Sequence, residues 1–243
     1  MPDWLTARPI AHRGLHDTAA GVIENTTSAF EAALAGNYAI ETDLQISADG
    51  EAMVHHDGAL GRLTEGEGRL DAKPAAELKR VAFLATKDRM LTLPEFCDLV
   101  GGRVTLVIEM KSRYDGDVRL PRRTAAVLKD YKGPVAVMSF DPAQIAALRD
   151  FEPSLSRGLV AQRPDRTHDK HPSTGAAAKF VLQALAARLQ FLAYRVSDLP
   201  SPVPGFARNV LGMPLLTWTV RTAEDRRRAA QHADQIIFEG FRA

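Results

Sequence analysis

The sequence predicts an α/β protein built as a (β/α)8 TIM barrel, and three observations predict it. Strand-like and helix-like runs alternate along nearly all of the 243 residues. Several strand runs are too apolar to face water on one side, which is the mark of a parallel sheet covered by helices. Residues able to do chemistry close several different strands, and barrel enzymes build their sites at that end. A doubly wound open sheet is the alternative. No linker-like stretch interrupts the pattern, so one domain over 1–243 is expected.

The first strand run is RPIAHRG (8–14). Residues 26–37 follow as a helix, with Phe30, Ala33 and Leu34 on one face and a Gly36-Asn37 stop. The second strand run is 38–47. After the turn signal Ala48-Asp49-Gly50, residues 52–57 read as a short hairpin arm. Residues 58–93 form a short insertion, polar or helical, with a helical run at 74–83 leading to another at 93–100. Further strand runs lie at 104–111, 135–140, 157–161, 191–197, 214–220 and 235–240, and helical runs at 118–131, 142–150, 174–189 and 223–233. The 223–233 run carries its charges as a solvated face. SDLPSPVPG (197–205) reads as a loop. No helical run follows the last strand run, so another segment or a homo-oligomer contact is expected to cover that gap.

The composition is 45% hydrophobic and 25% charged, enough for a sizeable core. A net charge of +1 carries no nucleic-acid signature. No apolar run reaches the roughly 18 residues of a membrane span. The N-terminus lacks a basic stretch followed by an apolar one, so a cytoplasmic location is expected. Cys97, the single cysteine, sits at helical spacing with Phe96 and Val100 and reads as a core thiol.

Glu41 and Asp43 are two apart on a strand and share a side, while Ile40, Thr42 and Leu44 take the other. Two carboxylates at a strand end suit a hard divalent cation, Mg²⁺ or Ca²⁺; a solvated strand edge is the plainer alternative. Glu109 ends the apolar run VTLVI, where an unpartnered carboxylate would be costly. Lys111 faces the same side as Glu109, either as its partner or to hold a phosphate. Three carboxylates brought together need a cation between them. His12 closes the first strand as a candidate general acid or base, and Arg13 offers a planar fork for phosphate oxygens. His55 and His56 are adjacent and point to opposite sides, and spacing alone does not choose between them. The set points to a metal-dependent enzyme acting on an anionic substrate.

These pieces, taken in order, resemble a family. I-A-H-R-G at 10–14, E-N-T at 24–26 with S-A-F at 28–30, I-E-T-D at 40–43, D-G at 49–50 and H-H-D at 55–57 look like the glycerophosphodiester phosphodiesterases. Arg62, Thr64 and Gly66, then L-T-L-P-E-F, I-E-M-K at 108–111, S-F-D-P at 139–142 and T-W-T-V at 217–220 extend the resemblance over nearly the whole chain. It implies a barrel that hydrolyses a small-molecule glycerophosphodiester to an alcohol and sn-glycerol 3-phosphate with a divalent metal. Carried over by position, His12 and His56 become the acid/base pair. Glu41, Asp43 and Glu109 become metal ligands. Arg13 and Lys111 become phosphate-binding cations, with Glu24 and Asn25 beside the site. His55 is left on the outer side.

Two positions depart from the family pattern. Arg221 stands where Asn usually follows W-T-V, and F-E-G-F at 238–241 stands in place of T-D-x-P. Loops rich in Arg, Lys and His at 112–123 and 162–173 predict a basic rim, with Arg163, Arg166 or Lys170 helping to bind substrate. Trp218 and Tyr194 end strands and are candidates to pack on the alcohol head group. A lysophospholipase D on the same scaffold would need an apolar entrance, and the catalytic-face loops hold no apolar cluster. A catalytically silent binding barrel would lack a histidine or a ligand carboxylate, and every such position is filled.

Overall fold

The computed structural model describes residues 3–163 and 187–243. Eight parallel strands close a barrel: β1 (Ile10–Ala11), β2 (Ala39–Ile46), β4 (Leu106–Met110), β5 (Val135–Ser139), β6 (Ser156–Ala161), β7 (Phe191–Arg195), β8 (Leu215–Val220) and β9 (Gln235–Phe238). β1 completes the circle, pairing Ile10 with Ala39 of β2 on one side and with Ile237 of β9 on the other. β3 (Ala52–Val54) is the hairpin arm read from the sequence. It runs antiparallel to β2, with Leu44 opposite Val54. The open-sheet alternative is therefore excluded.

Alternation along the strands divides the core in two. Ile10, Ala39, Val107, Ala136, Val160, Phe191, Ala193, Leu216 and Ile237 form the inner cluster, with Leu5 and a partly buried Trp4. Gly158 belongs to this packing, because a Cβ there would meet the Phe191 ring at 2.3 Å. Residues of the other parity, such as Ala11, Ile40, Ile108 and Val137, pack in one cluster with Phe30, Phe96 and Leu128 of the helices. Two residues on from Ile10, Ala39, Val107, Leu216 and Ile237 stand His12, Glu41, Glu109, Trp218 and Glu239. The inner face therefore changes from apolar to chemical one layer above its core.

The helices are α1 (Thr27–Ala35), α2 (Ala75–Leu78), α3 (Leu93–Val100), α4 (Arg119–Leu128), α5 (Pro142–Phe151), α6 (Pro202–Asn209) and α7 (Ala223–His232) among the described residues. α3 and α7 start with reciprocal caps, Thr92 with Glu95 and Thr222 with Asp225. Cys97 is buried in α3, and burial pushes its thiol up to about 12, as fits a core residue.

Two expectations need correction. The 74–83 helix is only the four residues of α2; Val81 and Phe83 instead pack with Ile23, Met53, Leu60 and Leu70 beneath the insertion. The 197–205 loop contains the start of α6, where Pro202 occupies the first turn, the one helical position that loses nothing by lacking an N–H. Beyond β9, Phe241 stacks on Phe238 with ring centroids 5.0 Å apart, and the Arg226 guanidinium lies 5.2 Å above Phe241. Side chains of this chain thus cover at least part of the outer face beyond the last strand, one of the two covers expected there. Most of the 174–189 run lies outside the described residues. No helix among the described residues is long and apolar enough to cross a membrane.

Candidate active site

β2 and β4 pair in register with Asp43 opposite Glu109, and Glu41 shares their side of the sheet. Glu41, Asp43 and Glu109 are all buried, and each offers an oxygen within 4.8 Å of the others. Two cations enter this group. Lys111 Nζ lies 2.8 Å from Asp43 Oδ1 and 2.6 Å from Glu109 Oε1. Arg13 donates its backbone N–H to Glu41 Oε2 at 2.9 Å, places Nε 3.2 Å from Asp43 and donates Nη1 to Glu24 at 2.8 Å. Asn25 donates to Asp43 Oδ2 at 2.9 Å and accepts from the Thr42 hydroxyl. Arg13 and Asn25 both hold left-handed backbone, φ 55° and 57°, a local strain of the kind that concentrates at functional sites. Gly14 has φ +79°, and a Cβ there would meet the Ala29 backbone at 2.8 Å, so only glycine lets the chain turn here.

Three carboxylates share two cations, and their proton affinities divide accordingly. Burial and the Asp43 and Glu109 charges push Glu41 well above the usual carboxylate range. Burial pushes Glu109 up to about 7, with Lys111 opposing it. Burial also opposes ionisation of Asp43, but Lys111, Arg13 and the two imidazoles outweigh it and hold Asp43 far below its usual value. Lys111 keeps its charge against burial because Asp43 and Glu109 flank it. The trio has an unmet demand for positive charge, and three buried oxygen donors fit a hard divalent cation.

Two imidazoles line the same cleft of about 430 Å³ as Glu41, Glu109, Lys111, Arg13 and Trp218. His12 Nδ1 is hydrogen-bonded to Glu239 Oε2, and its Nε2 lies 3.9 Å from Glu41 Oε2. Glu239 Oε1 in turn accepts from Arg221 Nε at 2.6 Å. His56 Nδ1 is 2.8 Å from Asp57 Oδ1, and Asp57 and Glu24 both accept from Arg62. Each imidazole is therefore held at Nδ1 by a carboxylate that an arginine anchors. That fixes the proton on Nδ1 and turns Nε2 away from the anchor. Burial lowers the pKa of both rings. Burial opposes ionisation of Glu239, but its bonds to His12 and Arg221 hold it far below its usual value.

The structure brings together His12, His56, Arg13, Lys111, Glu24, Asn25, Glu41, Asp43 and Glu109, all chosen from the sequence. Trp218 lines the cleft, its indole N–H on the Ala193 carbonyl and its ring edge-on to Phe140. Other expectations divide. His55 faces away from the cleft, as expected, and is buried there with its ring 6.3 Å from that of Phe83 beneath the insertion. Tyr194 has the parity opposite to Ala193 and packs outward with Leu159, Leu192 and Leu199. Three arginines of the expected basic rim are paired with carboxylates. Arg113 pairs with Asp71, Arg119 with Asp117 and Arg123 with Glu51, while Arg163 donates to the Pro200 carbonyl. Arg166 and Lys170 lie outside the described residues. Asp57, Arg62, Arg221 and Glu239 were not assigned functional roles from sequence, although Arg221 and Glu239 are the two departures from the family pattern.

Comparison with known proteins agrees with this geometry. The Glycerophosphoryl diester phosphodiesterase family matches residues 12–239. The glycerophosphodiester phosphodiesterase of Caldanaerobacter subterraneus subsp. tengcongensis is 28% identical over 229 residues, 90% of this chain and 88% of that protein. A Silicibacter pomeroyi structure assigned to glycerophosphoryl diester phosphodiesterases has a TM-score of 0.75 at 26% identity, covering 95% of this chain and 89% of the other. A phosphodiesterase of Oleispira antarctica, in complex with the product sn-glycerol-3-phosphate, shares the fold with a TM-score of 0.78 at 20% identity over 95% of this chain and 91% of its own. With its barrel, its ordered motifs and a family match over nearly its full length, the chain belongs to the glycerophosphoryl diester phosphodiesterase family.

Proposed function

We propose that this protein hydrolyses small glycerophosphodiesters to an alcohol and sn-glycerol 3-phosphate, with His12 and His56 as the proton-transfer pair. The observation that carries this reading is one cleft holding two anchored imidazoles beside a buried carboxylate trio. Glu41, Asp43 and Glu109 would hold a divalent cation, which supplies charge stabilisation to the phosphoryl oxygens and lowers the pKa of an oxygen nucleophile. Arg13 and Lys111 add donors where negative charge grows on phosphorus oxygens. One imidazole takes the proton of the attacking hydroxyl at Nε2, and the other returns a proton to the departing alkoxide. Water adds across the P–O bond, so the alcohol leaves with a proton and the glycerol phosphate keeps the oxygen. Trp218 and Phe140 give the cleft an apolar wall for the organic part of the substrate.

The test is release of glycerol 3-phosphate from glycerophosphocholine, glycerophosphoethanolamine, bis-glycerophosphate and a lysophospholipid, each with Mg²⁺, Ca²⁺ or chelator. Metal-dependent release that His12→Ala abolishes is expected. Release that chelator leaves untouched would sink the metal assignment, and cleavage of the lysophospholipid alone would favour the lipid-cleaving reading.

A further inference from the structure

Behind His12 lies a second cluster whose donor chemistry differs from that of the carboxylate trio. His12, His16 and Glu239 each present a ligand atom within 4.8 Å of the others. They come from three places that folding brings together: the end of β1, the turn that Gly14 makes possible, and the residue after β9. His16 Nε2 is shielded from solvent, makes no hydrogen bond and lies 3.6 Å from Glu239 Oε2. A buried ring nitrogen with no partner, aimed at a carboxylate, is a group awaiting one.

From this we infer a transition-metal site of the zinc type at His12 Nδ1, His16 Nε2 and Glu239 Oε2, separate from the hard-cation site and inhibitory when filled. Two imidazole nitrogens and one carboxylate oxygen match the three-ligand, open-position sites that Zn²⁺ occupies, whereas three carboxylates match Mg²⁺ or Ca²⁺. Arg221 holds Glu239 Oε1 and leaves Oε2 for the ion. A cavity of about 560 Å³, lined by His16, Asp17, Arg221 and Glu239, reaches this side of the cluster. It gives the ion an entrance apart from the substrate cleft and room for a water as fourth ligand. Zn²⁺ on His12 Nδ1 would take the lone pair of that nitrogen, so the single proton of the neutral ring would have to sit on Nε2 instead. The imidazole facing the cleft would then be a donor with no lone pair to accept a proton. That inhibitory consequence rests on the proposed role of His12; the binding site does not.

Zn²⁺ titration by calorimetry, and Co²⁺ titration followed by its visible absorption, would be run on the full protein in excess Mg²⁺. One bound ion is expected, surviving Glu41→Gln. Losing an outer hydrogen-bond partner of a metal ligand already weakens metal sites by about 10–100-fold. Loss of a ligand in His16→Ala or Glu239→Gln is therefore expected to weaken binding by more than about 100-fold. His16→Gln serves as a second variant that retains a polar side chain if truncation loosens the turn. Binding unchanged in the His16 variants, lost in Glu41→Gln, or absent from the wild type overturns the site. Where phosphodiesterase activity is present, micromolar Zn²⁺ is expected to inhibit the wild type and spare His16→Ala, whose basal turnover is unchanged. A protein inactive on every diester would still give a decisive titration, so failure of the functional reading and failure of the zinc site are told apart.

Discussion

The two imidazoles of the cleft are held by the same device, built in two different ways. His56 is anchored by its chain neighbour Asp57, and Arg62 closes the set from five residues further on, with the His56 side chain 31% exposed. His12 is anchored by Glu239, 227 residues away, at the seam where the barrel closes, with its side chain 11% exposed. Local chain chemistry builds the first, and the closed fold builds the second. The first should therefore be tolerant and adjustable, and the second rigid and costly to disturb.

Removing either ring is the largest expected effect. His12→Ala and His56→Ala should each lower kcat by about 10²–10⁴-fold without loss of fold, measured by steady-state turnover with circular dichroism as control. Equal residual activity in the two would support a paired role. Removing the anchors should separate the stations. Glu239→Gln should lower kcat by about 10²-fold with little change in KM, below the roughly 10⁴-fold seen when a catalytic imidazole is left in the wrong tautomer. Asp57→Asn should cost less than about tenfold, because water reaches this more exposed station and can accept from His56 Nδ1. The reverse order would break the comparison.

The trio between the stations gives a pH signature in metal-free protein. The pKa of Glu109 is raised in the folded chain to about 7. It therefore favours folding below its unfolded value near 4.5, and that contribution is lost as pH rises through 7. The lowered imidazoles act oppositely below their ordinary value of 6.5. The clean readout is thus the Tm difference between Glu109→Gln and wild type in chelator. It should grow in favour of the variant from pH 6 to 8, at roughly 2–4 °C per kcal/mol for a chain of this size. Added Mg²⁺ should remove that advantage. The smallest effect concerns the outer arginines. Exposed ion pairs contribute about 0–1 kcal/mol, so Arg62→Ala and Arg221→Ala should change kcat/KM by less than about tenfold, with Arg221 the larger of the two.

Much of this was legible in the sequence because strand parity is local. Glu41, Asp43, Glu109 and Lys111 share a side by counting in twos, and the barrel follows from apolar runs separated by helices. Spacing could not separate His56 from His55; the family resemblance could. Nothing in spacing links Glu239 to His12, since their contact exists only once β9 meets β1. Of the prolines that make 197–205 look irregular, Pro202 and Pro204 fall in the first turn of α6, where proline is tolerated, and Pro200 precedes its cap. The helical spacing of 74–83 yielded to Val81 and Phe83 packing under the insertion. Composition shows the loop arginines as charges and hides the carboxylates that pair with Arg113, Arg119 and Arg123.

The seam itself has a further consequence. β1 contributes only Ile10 and Ala11 to the ladder, with Ala39 N–H on Pro9 and His12 N–H on Phe238 at its two ends. A closed sheet opens first where its ladder is shortest, so native-state amide exchange should be fastest, among the barrel strands, along β1. Any such opening separates His12 from Glu239 in the same event. With His12 as the proton station proposed above, local unfolding of the barrel wall and loss of that station are one equilibrium, which exchange of the His12 amide reports.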